Sequence, residues 1–343
     1  MLATYVHQLN PVIIDLFGKL SLRWYGLAYL AGFMAGYFLL KRLAEKKLWV
    51  MQPEKTADFI AAAALLGVFI GGRLGYVFFY QIPKDGWVSF IDDPLILFRV
   101  WEGGMASHGG ILGLAIFTFF YARKQRVSWA GLADGLCVVG PIGLLCGRIA
   151  NFINGELYGR VANGLAWAVK FPDTLIRHEL PEYARFNDAL TAAVKADSGF
   201  ASRIKQISAQ GFPDPSLAHF HELIATNRGL DGRESDSVNQ AIAPYLEARH
   251  PSQLYEGLLE GALIFGILWF VRVRFTKAPH GMITGIFFGL YATFRIFAEA
   301  YREPDAAWVI DGYLTKGQFL SLFMYLFAAA FLIFAFRKSR TVI

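Results

Sequence analysis

The chain has 343 residues, 55% of them hydrophobic and only 17% charged, where a soluble domain usually carries about 25% charged residues. With 31 phenylalanines and a mean hydropathy of +0.39, it either sits in lipid or buries nearly all of itself. The formal charge of +6 is held in short clusters between apolar runs and not in a stripe interleaved with aromatics, which argues against nucleic-acid binding.

Residues 1–18 contain no Lys or Arg, so the N-terminus lacks the basic region of a cleavable signal. Seven segments then approach the roughly 20 apolar residues that a membrane crossing needs: 20–40, 57–80, 104–121, 129–150, 253–271, 281–300 and 317–336. The third is short and is expected to enter obliquely or to lie partly in protein. Basic residues fill alternate short connections: Lys41, Arg42, Lys46, Lys47 and Lys55, then Arg123, Lys124 and Arg126, then Arg272, Arg274 and Lys277, then Arg337, Lys338 and Arg340. The opposite connections hold only Lys84 and Arg99, and Arg302 and Lys316. Because basic loops stay cytoplasmic, this alternation predicts an N-terminus outside and a C-terminus in the cytoplasm. The polar stretch 161–249, with helix-like pieces at 182–195 and 216–226, falls outside and reads as a small external segment or lid. The predicted fold is thus an all-α polytopic membrane protein: four spans in 1–160, an external insertion at 161–249, and three spans in 250–343.

Cys137 and Cys146 lie in one apolar segment, nine residues apart. On a helix that spacing turns about 900° and faces them oppositely, so they read as small buried hydrophobes and not as a disulfide or a metal pair.

Charged residues inside spans call for a partner, since one at the bilayer centre costs about 2.5–3.5 kcal/mol on insertion scales. Arg73, Asp134, Arg148, Arg295 and Glu299 are such residues. Arg295 and Glu299 share a helix face at i, i+4, which also fits a self-contained ion pair. Arg73, Arg148 and Arg295 are expected at similar depth toward the outer side, where guanidinium groups suit a phosphate head group. The run 147-GRIANFINGELYGR-160 packs Asn151, Asn154 and Glu156 among glycines as the fourth span ends; it reads as the wall of a cavity or as an interfacial turn. His108 sits among glycines at the outer start of the third span, either structural or a base able to accept a thiol proton near neutral pH.

That run closely resembles the signature of the prolipoprotein diacylglyceryl transferase family, the bacterial enzymes that start lipoprotein maturation. The resemblance extends to 23-RWYGLAYLAGF-33, 71-GGRLGYVFFY-80, 98-FRVWEGGMASHGG-110, 250-HPSQLYEGLLEG-261 and 295-RIFAEAYREPD-305, and so spans almost the whole chain, with 161–249 longer than the family pattern. It implies transfer of the diacylglyceryl group of phosphatidylglycerol to the lipobox cysteine of a prolipoprotein signal peptide, in the bacterial inner membrane with the site toward the outer leaflet. No cofactor and no metal are implied. Arg148 and Arg295 fall to head-group binding and leaving-group stabilisation, His108 to the base. Tyr25, Asn151, Asn154, Glu156 and Gly159 fall to the head-group site, and Glu299 to orienting Arg295. Arg73, Asp134, Arg160, His250 and Tyr291 match family blocks too, Arg73 and Tyr291 as further substrate-binding positions, and structural service explains these five equally well. A membrane transporter for an anionic substrate is the rival reading, because charged spans serve there too. No repeat of several spans is visible to support it.

Overall fold

A computed structural model describes residues 4–17, 20–84, 86–87, 94–98, 104–200, 202, 234–304, 309–310 and 313–337. Among the described residues, six helices are long and apolar enough to cross a membrane: α1 (Trp24–Glu45), α2 (Pro53–Lys84), α4 (Trp129–Asn154), α7 (Ser252–Arg274), α8 (Met282–Glu299) and α9 (Lys316–Arg337). Each overlaps a predicted span. The seventh, expected at 104–121, is the 19-residue helix α3 (Ser107–Gln125), which is not among those six. His108 in its first turn and Arg123 and Lys124 in its last turn dilute its apolar character. Phe38, Phe120, Phe270, Leu326 and Phe336 are each at least 60% exposed, as side chains facing acyl chains would be.

Among the described residues, five short strands amend the all-helical expectation. The first predicted span begins four residues late because Leu20–Arg23 (β3) pairs antiparallel with Val12–Phe17 (β2) before the chain enters α1. Tyr5–Val6 (β1) pairs parallel with Val169–Lys170 (β4), which pairs antiparallel with Ala248–Arg249 (β5). The described residues of 161–249 hold an apolar nucleus. The predicted helix at 182–195 forms as a 3₁₀ turn, Pro181–Arg185, leading into α5 (Phe186–Ala196). Phe186, Ala189 and Ala193 line one face of α5 and bury with Val238 and Ile242 of α6 (Glu234–Ile242). The piece predicted at 216–226 lies outside the described residues, as do Arg99, Lys338 and Arg340.

The chain divides into two compact units. The first comprises Met1–Ala31, Leu144–Leu263 and Tyr291–Phe323; the second comprises Gly32–Gly143, Ile264–Leu290 and Met324–Ile343. In the second unit, α2 and α3 meet glycine on glycine: a Cβ at Gly71 would lie 2.7 Å from the Gly109 carbonyl oxygen. Asp134 caps α8 there, accepting from the amides of Gly281 (2.7 Å) and Thr284 (2.8 Å) and from the Thr284 hydroxyl (2.7 Å). A carboxylate against the first turn of a helix satisfies open amides and meets the positive end of its dipole. This charge inside a span therefore has a structural explanation. Cys137 and Cys146 are both free thiols.

Candidate active site

The first unit holds a cluster of charged side chains built by four segments. On α4, Arg148 stands about one turn before Asn151. The chain then turns sharply, with Gly155 (φ 69°) and Leu157 (φ 56°) in left-handed conformation, and folds Glu156 back so that its amide donates to the Asn151 carbonyl at 3.1 Å. Glu156 Oε1 thereby accepts from Asn151 Nδ2 at 2.9 Å and from the hydroxyl of Tyr25, at the start of α1, at 2.7 Å. Asn151 Nδ2 also contacts the Tyr25 hydroxyl.

Helix α7 supplies two carboxylates absent from the sequence-based selection. Its glycines bring it onto α4: a Cβ at Gly257 would lie 3.2 Å from Arg148 Cβ, and one at Gly261 only 2.9 Å from Leu145 Cα. Small residues at this spacing are a common route to close helix packing in lipid. Alongside them, Glu256 and Glu260 are fully buried against the arginines. A π-helical stretch, Gly257–Leu263, carries Glu260, and such wide turns are frequent at functional sites.

Arg148 Nη2 lies 2.8 Å from Glu256 Oε2 and 3.3 Å from Glu260 Oε2. Arg295 Nη1 on α8 lies 3.0 Å from Glu256 Oε1 and 3.7 Å from Glu260 Oε1, while its Nη2 lies 2.9 Å from Glu299 Oε2. Arg302 Nη1 donates to both Glu256 oxygens, at 3.1 and 3.2 Å. Glu299 is held in turn by the Thr315 hydroxyl at 2.9 Å, in space that Gly317 leaves open. The i, i+4 pair of Arg295 and Glu299 therefore exists without being self-contained. Arg148 and Arg295 share two carboxylates, and three guanidinium groups balance three carboxylates. The carboxylates of Glu256 and Glu260 are inaccessible, whereas the Arg148 and Arg295 side chains keep 16% and 14% of their surface. The two arginine side chains thus keep more surface than the carboxylates they share, although Arg295 Nη1 is itself buried.

The other sequence-predicted residues sort as follows. Tyr291 is half-buried one turn before Arg295 on α8. Asn154 ends α4 with its side-chain oxygen buried. Gly159 is packed where a Cβ would come within 2.4 Å of the Tyr301 carbonyl oxygen, and its own amide donates to the His250 carbonyl at 2.8 Å. His250 is set against Tyr255, whose hydroxyl is 3.2 Å from Nδ1, and partial burial pushes its imidazole below the ordinary histidine value. Arg160 donates from Nε to the Arg302 carbonyl at 3.0 Å. Arg73 and His108 belong to the second unit. Arg73 is buried, donating from Nη1 to Gly104 O at 3.1 Å and from Nε to Ile96 O at 3.2 Å, with its guanidinium over the Tyr76 ring. Those bonds favour structural service for it. His108 is exposed in the first turn of α3.

Sequence reasoning passed over Glu256, Glu260 and Arg302. The first two carried the signal used for the others, since they are acids inside the predicted span 253–271, one helical turn apart.

A fold with several membrane-length apolar helices and a buried arginine–glutamate cluster in its first unit defines a multi-pass membrane protein. The comparisons with known proteins give this class a family. The family model described as prolipoprotein diacylglyceryl transferase matches residues 11–334. The chain is 36% identical over 334 residues to the phosphatidylglycerol–prolipoprotein diacylglyceryl transferase of Serratia proteamaculans (strain 568), covering 96% of this chain and 94% of that one. It is 38% identical over 331 residues to the enzyme of that name from Bdellovibrio bacteriovorus, covering 93% and 91%, and 35% identical over 348 residues to that of Escherichia fergusonii, covering 99% and 98%. The chain belongs to the prolipoprotein diacylglyceryl transferase family, and it is a transferase.

Proposed function

We propose that the protein moves the diacylglyceryl group of phosphatidylglycerol onto the lipobox cysteine of a prolipoprotein. The observation that carries the reading is the shared engagement of Glu256 and Glu260 by Arg148 and Arg295, which gathers two guanidinium groups at one place inside the first unit. In the reaction a thiolate attacks the glycerol carbon that bears the phosphate; the C–S bond forms and the C–O bond breaks. Glycerol phosphate departs, and the thiol proton goes to the base. Charge builds on the leaving phosphate, and Arg148 and Arg295 stabilise it as preorganised donors in a site of low dielectric. Glu299 orients Arg295. Tyr25, Asn151 and Glu156 form a polar wall beside Arg148 that receives the glycerol hydroxyls of the head group. Gly159 and Asn154 shape that wall, and Tyr291 lies along α8 below Arg295. His108 is the assigned base; Arg73 supports the α2 end of the second unit.

Both substrates approach from the membrane: the lipid from the outer leaflet, the signal peptide with its cysteine at the outer surface. This fits seven helices with the N-terminus outside, the C-terminus in the cytoplasm and 161–249 external, because basic residues then fill the cytoplasmic connections. The test is a transfer assay with detergent-purified protein, phosphatidylglycerol labelled in its glycerol backbone, and a lipobox peptide. The peptide should gain one diacylglyceryl mass on cysteine, and a Cys→Ser peptide should gain nothing. Movement of an anionic solute into vesicles with no covalent product would favour a transporter instead.

A further inference from the structure

The fully buried Arg249 lies outside the cluster described above and joins three parts of the first unit. Its Nε and Nη2 donate to Glu182 Oε1 at 2.9 and 2.8 Å, and Nη2 also reaches Oε2 at 3.0 Å. Its Nη1 donates to Glu303 Oε2 at 2.7 Å and to the Gly159 carbonyl at 3.2 Å, and its guanidinium stands over the Tyr158 ring. Glu182 belongs to the external segment, in the 3₁₀ turn Pro181–Arg185, and is fully buried. Glu303 is one-third exposed. Glu182 therefore fixes the plane of the guanidinium, because a forked pair of charge-assisted bonds specifies orientation as a single bond cannot.

Arg249 in turn holds the bridge partner of Arg302 by its carbonyl and the residue after Arg302 by its carboxylate. Gly159 is the antiparallel bridge partner of Arg302, and the Glu303 amide donates to the Tyr158 carbonyl at 3.3 Å. From that bridge the Arg302 side chain reaches both oxygens of Glu256, the carboxylate shared by Arg148 and Arg295. We propose that Glu182 is a positioning residue for the transfer reaction: through Arg249 it sets the strand that carries Arg302, and so the place of Glu256 between the two phosphate-binding arginines. This gives the external segment 161–249 a part in the site, and it rests on the transferase reading above.

A purely structural role and a positioning role are separated by a double-mutant cycle. Glu182→Gln, Arg302→Lys and the pair are compared by kcat/KM per folded protein in the peptide transfer assay. Glu182→Gln is expected to lower kcat/KM about tenfold in the parent, yet less than about twofold in the Arg302→Lys background, where the link is already cut. A parent-like Glu182→Gln, or an equal factor in both backgrounds, would overturn the proposal. If Glu182→Gln does not survive extraction, Glu182→Asp, which keeps the charge but shortens the reach, takes its place under the same criteria. Hydrogen–deuterium exchange supplies a readout free of activity: the variant should speed exchange at the amides of Arg160 and Glu303, and unchanged exchange there also refutes the link. A parent that transfers nothing counts against the transferase reading alone, and the exchange result still decides on Glu182.

Discussion

Replacing Arg148 with Ala tests two roles that one side chain combines. Arg148 is the nearer arginine to Glu260, at 3.3 Å; without it, the guanidinium left to that buried carboxylate among the described residues is Arg295, with Nη1 at 3.7 Å, beyond hydrogen-bond reach. Glu256 suffers less, because Arg295 at 3.0 Å and Arg302 at 3.1 Å remain. Removing one partner of a buried pair costs about 3–5 kcal/mol of stability, and here most of that falls on Glu260. Separately, losing one preorganised donor to a developing anion costs about 10²–10³ in rate, or about 2.7–4 kcal/mol. The two losses come apart in the double variant Arg148→Ala/Glu260→Gln, which removes the stranded carboxylate along with the arginine. Thermal melting in detergent should show the single variant destabilised and the double variant largely restored. The transfer assay should show both at least about a hundredfold down. Activity returning with stability in the double variant would mean that Arg148 serves only to neutralise Glu260, and the phosphate role would be refuted.

Arg295→Lys keeps the charge but loses the fork that meets Glu256 and Glu299 together, so transfer should fall by about tenfold or more, checked by kcat/KM against phosphatidylglycerol. Gly261→Ala puts a methyl group 2.7 Å from Leu145 Cβ and should lower stability by about 1–3 kcal/mol, read as a reduced melting temperature, because α7 must back away from α4. Asp134→Ala strips the cap from α8 and should cost about 1–2 kcal/mol in the same measurement while leaving KM for the lipid unchanged. His108→Gln should slow transfer in the peptide assay, and an unaltered rate takes His108 out of the mechanism.

Much of this architecture could be read from the sequence. Six of the seven predicted spans match helices long enough to cross, because apolar length alone decides them. Arg148, Arg295, Glu299, Asn151 and Glu156 stood out because polar groups near lipid need partners, Tyr25 because it falls in a block that resembles the family, and the structure supplies partners for all six. Adjacency was not legible. Hydropathy places Glu256 inside a span without saying that Gly257 and Gly261 press its helix against α4, and that packing is what puts Glu256 beside Arg148. The pairing of Tyr5 with Val169, and the clasp of Glu182 on Arg249, join residues far apart in the chain with no local pattern to announce them. Arg73 shows the converse, where expected depth suggested a phosphate ligand and its donors are engaged by backbone carbonyls.

The central claim is that Arg148 and Arg295 together hold the lipid phosphate. It is tested most directly by an experimental structure of the protein with a phosphatidylglycerol analogue whose glycerol–phosphate bond cannot be displaced. The account predicts the phosphate oxygens at about 3 Å from guanidinium nitrogens of both residues, with Glu256 and Glu260 on the far side. A phosphate bound elsewhere, with the arginines still closed on their carboxylates, would contradict it.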